Sequence, residues 1–395
     1  MRVKGVTPCL ADLGGGKNLL FVKVETEAGP DGWGECYTQA DRDASIVAHV
    51  EALGRYLVGR DASHITHFVH MAYNDFAAKR GAMDFWSAVS GLEQALWDIA
   101  GKRHGVPVHE LLGGACRERI RVYANGWYGH GAPADYAARA RDTIRRGFTA
   151  LKFDPFTGPW RTHISLAAEE QAVATVAAVR EAVGPRIDLL IEVHRRLAPM
   201  HAIRIGHRLE EFDIGWYEEP CLGDNISLVA EVRRALPIPI VTGEAMYSKE
   251  AFSQALTARA ADILNPDICN CGGISAMLDI AAMAAPHAVA IAPHNYNSTL
   301  VGLAATVAFS AVIPNFWIAE CFVNLKPACD AIALSPIVVQ DGFAELPTTP
   351  GHGIDLDVEA LRKRPYRDMG GKGIRQYWEE FPRKNYVLAA TRTGF

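Results

Sequence analysis

The chain has 395 residues, of which 49% are hydrophobic and 22% charged, a balance that excludes wholesale disorder and is ordinary for a globular protein. A net charge of -5 without a long basic run argues against nucleic acid or an anionic membrane surface as a principal partner. The eight cysteines are scattered without a pairing framework, Met1-Arg2-Val3-Lys4 opens no apolar signal core, and no run of 18 apolar residues occurs, so a soluble, reduced, cytoplasmic protein is expected.

Residues 1 to about 115 read as a small α+β unit. Leu19–Thr26 is a strand, Gly29-Pro-Asp-Gly32 a turn, and Trp33–Tyr37 the returning strand of a hairpin. Helices are expected over Ala44–Val58, Ile65–Asn74 and Phe85–Arg103. The last is apolar around much of its circumference and should be buried, ending at Gly105 before Pro107. From about Ile120 the texture changes to short apolar strands alternating with amphipathic helices. The expected strands are Arg121–Trp127, Ala150–Asp154, Leu189–His194, Gly215–Glu219, Ile240–Glu244, Asp262–Asp267, Ala288–His294 and Phe316–Glu320. Their steps are about 23 to 27 residues, with one of about 40 after Asp154, which predicts a (β/α) barrel of the TIM type. An open doubly wound sheet is the rival, but no glycine-rich dinucleotide loop follows the first strand. After about Asp330 the alternation stops, and the tail to Phe395 is expected to pack back on the N-terminal unit. The chain thus divides into residues 1–115, 116–330 and 331–395.

In such a barrel the chemistry sits at the C-terminal ends of the strands. Glu192, Glu218 and Glu244 end three neighbouring strands at equal spacings of 26 residues. Any one alone is readily a solvent-facing carboxylate. Three that converge cannot all stay ionised without a cation, and hard oxygen ligands on rigid strands suit octahedral Mg²⁺. Asp267 and His294 end the next two strands, 27 residues apart. A carboxylate holding one imidazole nitrogen makes the other a competent general base. The lone Cys269-x-Cys271 pair reads as ordinary apolar packing after a strand rather than a metal or redox site.

The equal glutamate spacing, Trp216-Tyr-Glu-Glu-Pro220, the Asp267–His294 pair and the helix Ala95-Leu-Trp-Asp-Ile-Ala-Gly-Lys102 together resemble the enolase superfamily, mandelate racemase subgroup. The resemblance implies an α+β capping domain, built from both termini, over a modified TIM barrel, (β/α)₇β. It implies removal of a proton α to a carboxylate by a Lys or His base, with Mg²⁺ stabilising the enediolate. Racemases of the subgroup carry Lys-x-Lys on the second strand. Here Lys152 is kept and Asp154 replaces the second lysine, which removes one of the two bases that racemisation requires. His194, two residues beyond the first metal ligand, is similar in placement to the acid that protonates the departing hydroxide in acid-sugar dehydratases. The first ligand is usually Asp there, and Glu192 is longer by one methylene. By the same resemblance Lys152 lies near the substrate carboxylate and Glu320 hydrogen-bonds one of its oxygens.

The expected reaction is dehydration of a sugar acid, such as gluconate, galactonate or lyxonate, to a 2-keto-3-deoxy acid. A racemase or epimerase, a cycloisomerase, and a non-catalytic structural protein on this fold are the competing readings. The partner is a small-molecule sugar acid, and a homo-oligomer is expected by resemblance. Substrate contacts are sought in Leu13–Lys17, Glu35–Asp41, Trp127, Tyr128, Arg195 and Arg196.

Overall fold

The computed structural model describes residues 1–39, 42–129, 131–158, 160–296, 298 and 300–369. Ala40 and Asp41 of the expected contact loop, and the tail from Gly370 to Phe395, lie outside the described residues.

Three strands, β1 (Val3–Asp12), β2 (Asn18–Thr26) and β3 (Gly32–Cys36), form an antiparallel meander with register Asp12↔Asn18 across the first turn and Val24↔Gly32 across the second. Helices α1 (Asp43–Leu57), α2 (Ile65–Asn74) and α3 (Met83–His104) follow. α3 stops at Gly105, whose φ of 70° is the left-handed conformation that glycine enters without a Cβ penalty. The helix is apolar nearly all round because it is covered on both sides. One side packs on β3, so closely that a Cβ on Gly34 would collide with the Gly91 carbonyl. The other side faces the barrel, and Gln94 Nε2 ties the two together, donating to the Glu35 carbonyl of β3 at 3.1 Å and to the Ile268 carbonyl of the barrel at 3.2 Å.

Glu35 is fully buried at this seam and accepts from the Gly302 amide at 2.8 Å. Burial pushes its carboxyl up to about 7 from an ordinary 4.5. Between those values the folded chain binds more protons than the unfolded one, so this group's contribution to stability falls as pH rises from about 4.5 to 7. Glu35→Gln is therefore expected to raise the melting temperature over the parent at pH 8 and to change it little at pH 5. An offset that is the same at both pH values would contradict this reading.

After the short α4 (Val108–Leu111), the barrel strands are β4 (Arg119–Asn125), β5 (Ala150–Phe153), β6 (Asp188–Glu192), β7 (Trp216–Glu218), β8 (Ile240–Thr242), β9 (Ile263–Leu264), β10 (Ala290–Ile291) and β11 (Ala319–Phe322). Between them run α5 (Pro133–Arg145), α6 (Leu166–Val183), α7 (Pro199–Leu209), α8 (Ile226–Ala235), α9 (Lys249–Thr257), α10 (Gly273–Ala284) and α11 (Val301–Val312). Strands β4 to β10 pair in parallel in chain order, and β11 pairs in parallel with the free edge of β4. A parallel bridge Ile291↔Phe316, with Trp317 N donating to the Ile291 carbonyl at 2.9 Å, joins the eighth unit to the seventh and completes the ring. The strands are continuous apolar runs because helices cover them outside and side chains fill them inside. The inner filling includes Tyr123, Leu190, Trp216, Val241 and Ile318. Trp216 meets Tyr123 and Trp317 edge-on, each at 5.3 Å between ring centroids, and floors the space above.

Beyond α12 (Lys326–Asp330), β12 (Val339–Gln340) and β13 (Phe343–Glu345) form a hairpin that pairs antiparallel with the start of β4. α13 (Val358–Arg362) follows. This last stretch touches the N-terminal unit: His352 Nε2 lies 2.9 Å from the Gln94 carbonyl, and the Arg367 amide donates to Asn18 Oδ1 at 3.1 Å.

Several strands end earlier than the sequence reading expects, among them β6, β8 and β10. β6 stops at Glu192, and His194 and Arg195 sit in a turn with φ of 51° and 62°. Glu320 lies inside β11 rather than at its end.

Candidate active site

Glu192 closes β6 and Glu218 closes β7, and the two are directly paired in the parallel ladder. Glu244 follows β8 across Gly243. Each of the three offers a carboxylate oxygen, and these oxygens all lie within 4.8 Å of one another. All three groups are buried. One oxygen of each is held by the protein. Glu192 Oε1 accepts from the His194 amide at 2.6 Å, and Glu218 Oε1 accepts from Lys152 Nζ and Asn265 Nδ2, both at 2.8 Å. Glu244 Oε1 accepts from Arg195. The second oxygen of each, Oε2 throughout, is buried outside the regular hydrogen bonds, with only Lys152 Nζ 3.5 Å from that of Glu192 and His294 Nε2 3.2 Å from that of Glu244 beside them. Three carboxylate oxygens so placed are costly alone and suited to a shared cation. Burial and the neighbouring Glu192 charge push Glu218 well above the usual carboxylate range. Glu244 is held well below it, since the Arg195 and His294 charges outweigh its burial.

On one flank stands His294, only 4% exposed, its Nδ1 2.7 Å from Asp267 Oδ2. Its Nε2 lies 3.2 Å from Glu244 Oε2 and 3.7 Å from Glu320 Oε2. Burial disfavours the imidazolium, but Glu320, Glu244 and the Asp267 bond outweigh it and raise its pKa well above the usual histidine value. Asp267 is itself fixed, Oδ1 accepting from the Cys269 amide at 2.8 Å. Glu320 accepts from Asn125 Nδ2 at 2.6 Å and from the Asn295 amide at 2.7 Å. Lys152 Nζ is the hub between flanks, 3.2 Å from Glu320 Oε1 and 3.5 Å from Glu192 Oε2. Burial opposes its charge, yet Glu218 and Glu320 hold its pKa well above the lysine value.

On the other flank His194 Nδ1 lies 2.7 Å from Asp154 Oδ2, and Arg196 donates to the same oxygen. Asp154 stays below the usual carboxylate range: burial works against the charge, and His194 and Arg196 more than offset it. Arg195 bridges Glu244 to Glu219, whose other oxygen accepts from Thr242 Oγ1 at 2.8 Å and the Gly243 amide at 2.9 Å. Glu219 thus braces the site from outside the metal-facing set.

These groups line one cavity of about 380 Å³ between the barrel mouth and the cap loops. Lys152, Asp154, His194, Glu244 and His294 reach it, with the neutral Gln39, Asn125, Tyr128 and Asn324 around them. Trp127 does not; its Nε1 donates to the Lys152 carbonyl at 2.8 Å. The cap loop after β1 brings Gly15 to the wall and is tied down by Lys17. That ammonium donates to the Thr38 and Tyr296 carbonyls at 3.0 and 3.2 Å and lies over the Tyr37 and Tyr296 rings. Burial lowers its pKa to about 8. Cys269 and Cys271 are buried thiols outside the carboxylate cluster. Asn265, two residues before Asp267 on one strand end, was the signal within reach that sequence reasoning passed over. Lys17 offers no such signal, because its partner Tyr296 is 279 residues away.

A cap over a (β/α)₇β barrel, with three carboxylates on successive strands and a carboxylate–histidine pair beside them, defines the enolase-type class of barrel enzymes. The profile described as mandelate racemase / muconate lactonizing enzyme, N-terminal domain, matches residues 14–113, and the one described as enolase C-terminal domain-like matches residues 135–361. The chain belongs to the mandelate racemase / muconate lactonizing enzyme family of the enolase superfamily. It is 33% identical over 353 residues to the D-galactarolactone cycloisomerase of Agrobacterium fabrum, covering 87% of this chain and 90% of that protein. It is 34% identical over 351 residues to the D-galactonate dehydratase of Xanthomonas euvesicatoria, covering 87% and 90%. Against the D-gluconate dehydratase of Thermoproteus tenax it is 34% identical over 347 residues, covering 87% and 69%. A crystal structure of a mandelate racemase/muconate lactonizing enzyme from Sulfitobacter superposes with a TM-score of 0.87 at 35% identity, over 93% of this chain and 96% of that one. Members of the superfamily bind a divalent metal, and the Oε2 oxygens of Glu192, Glu218 and Glu244 fit one. No helix among the described residues is long and apolar enough to cross a membrane.

Proposed function

We propose that this protein is a Mg²⁺-dependent sugar acid dehydratase that converts an aldonate, of the gluconate or galactonate kind, to a 2-keto-3-deoxy acid. The observation that carries the reading is the pairing of two histidines, each with its own carboxylate, on opposite flanks of a buried acidic triad. One histidine can take a proton while the other gives one. The dehydratases among the relatives support the same chemistry.

Glu192, Glu218 and Glu244 would hold the cation; an all-oxygen set of hard carboxylates favours Mg²⁺ over softer metals. When bound, it supplies positive charge against the enediolate dianion that forms as the C2 proton leaves. Lys152 positions the substrate carboxylate by charge, and Glu320, when it carries a proton, donates a hydrogen bond to one of its oxygens. His294, oriented by Asp267, takes the C2 proton on Nε2, and the C–H pair becomes the C1–C2 double bond. That pair then moves to form C2=C3 as the C3–O bond breaks, and His194 gives its proton to the departing oxygen so that water leaves. The enol takes a proton at C3 and becomes the 2-keto acid. Gly15 and Gln39 of the cap loops line the cavity in which this sequence runs.

Incubating the protein with Mg²⁺ and a panel of mono- and diacid sugars, and assaying for 2-keto acid, tests the proposal. Keto acid from one or more aldonates is expected. The second reading, a lactone cycloisomerase, rests on the similarity to the Agrobacterium protein; consumption of a lactone alone, with no keto acid from any acid sugar, would favour it.

A further inference from the structure

We propose that Asp154 is a positioning residue for the acid step, forming with His194 a second carboxylate–histidine pair that serves only the departure of water. The inference rests on the dehydratase reading above and adds a residue to it.

Asp154 follows β5 directly and is 7% exposed. All of its acceptor capacity facing the protein is committed. Oδ1 accepts from the Phe156 amide at 2.9 Å, which fixes the carboxylate plane relative to the loop after β5. Oδ2 lies 2.7 Å from His194 Nδ1 and also accepts from Arg196 Nη1. Arg196 is 8% exposed and is anchored in turn by the Val193 carbonyl at 3.2 Å, within the same turn that carries His194. The pair is a geometric counterpart of Asp267–His294, with the same 2.7 Å separation to Nδ1. A carboxylate there takes the Nδ1 proton as its hydrogen bond and leaves Nε2 to the cavity that His194 lines.

The backbone around His194 makes this support necessary. His194 and Arg195 are both non-glycine residues in left-handed conformation, with φ of 51° and 62°. Such a turn is sparsely populated and persists only where surrounding contacts over-determine it. The His194 amide is held by Glu192 Oε1 at 2.6 Å, which fixes the backbone, and Asp154 fixes the ring. Without Asp154 nothing else among the described contacts of His194 orients the imidazole except the more distant Glu192 oxygen at 3.9 Å. Asp154 therefore does more than vacate the place of a base two residues beyond Lys152. It turns that flank of the cavity from proton abstraction to proton delivery.

The amide isostere cannot reproduce this. Both carboxylate oxygens act as acceptors, so Asp154→Asn must turn an NH₂ either against the Phe156 amide or against Arg196 and His194. The test uses this variant and the parent with Mg²⁺ and an aldonate in D₂O, reading keto acid formation and deuterium at C2 of recovered substrate. In Asp154→Asn, keto acid formation is expected to fall by about a hundredfold or more, the scale of a lost acid catalyst. Exchange at C2 should continue at a rate within severalfold of parental C2–H cleavage, because the His294 flank is intact, and it shows at once that the variant is folded. Keto acid formation equal to the parent would overturn the assignment, as would parallel loss of exchange and dehydration, which marks a general structural role. A parent that makes no keto acid from any aldonate sinks the dehydratase reading itself, an outcome separate from either of these.

Discussion

His294→Asn is expected to stop both keto acid formation and exchange at C2, lowering turnover by about a hundredfold to ten-thousandfold, the range of a lost general base. The magnitude follows from how the imidazole is held. Asp267 fixes Nδ1 at 2.7 Å, and Nε2 is left 3.2 Å from the free oxygen of Glu244, at the edge of the metal-facing set. An asparagine amide can still donate to Asp267, so the local fold has a substitute for that bond, but nothing replaces the proton acceptor. Loss of exchange together with dehydration separates this variant from Asp154→Asn, in which only dehydration falls. A His294→Asn protein with parental turnover of a confirmed substrate would be incompatible with the mechanism.

Glu218→Gln carries the second large effect. Glu218 is wholly buried, with Oε1 held by Lys152 and Asn265 and Oε2 orphaned. Burial and the nearby Glu192 disfavour a charge on this carboxyl, and glutamine keeps an acceptor oxygen for Lys152 and Asn265 without that charge. The variant should therefore fold with near-parental stability when no metal is present. Its affinity for Mg²⁺ should drop by more than the roughly ten- to hundredfold seen when an outer-sphere partner is lost, because a ligand is removed. Two readouts check this. Saturating Mg²⁺ should raise the melting temperature of the parent, as any ligand that binds only the folded state does, and leave the variant unmoved. Chelation should abolish parental activity, and added Mg²⁺ should restore it. Equal thermal shifts in the two proteins would mean that the triad is not where the cation binds.

Much of this site was legible as spacing. Equal steps of 26 residues between Glu192, Glu218 and Glu244 and of 27 between Asp267 and His294 are what a βα unit of constant length imposes on successive strand ends. The structure brings all five together, with Lys152 and Glu320 between the flanks. What periodicity misjudged is where strands stop. The expected strand ran on through His194, but β6 ends at Glu192 and a left-handed turn delivers the imidazole instead. His194 reaches the cavity through a turn that strand spacing cannot encode. Asp154 was visible only as an absent lysine, since its partnership with His194 spans 40 residues and depends on that turn. The Lys17 clasp and the Glu35–Gly302 bond cross between the N-terminal unit and the barrel, and contacts at such separations leave no local trace.

The central claim, that proton removal at C2 is followed by loss of the 3-hydroxyl, is tested most directly by NMR of the parent protein turning over an aldonate with Mg²⁺ in D₂O. The predicted result is a 2-keto-3-deoxy acid carrying deuterium at C3. Aldonate recovered with all its hydroxyls, deuterated or inverted at C2 and unaccompanied by keto acid, would contradict it.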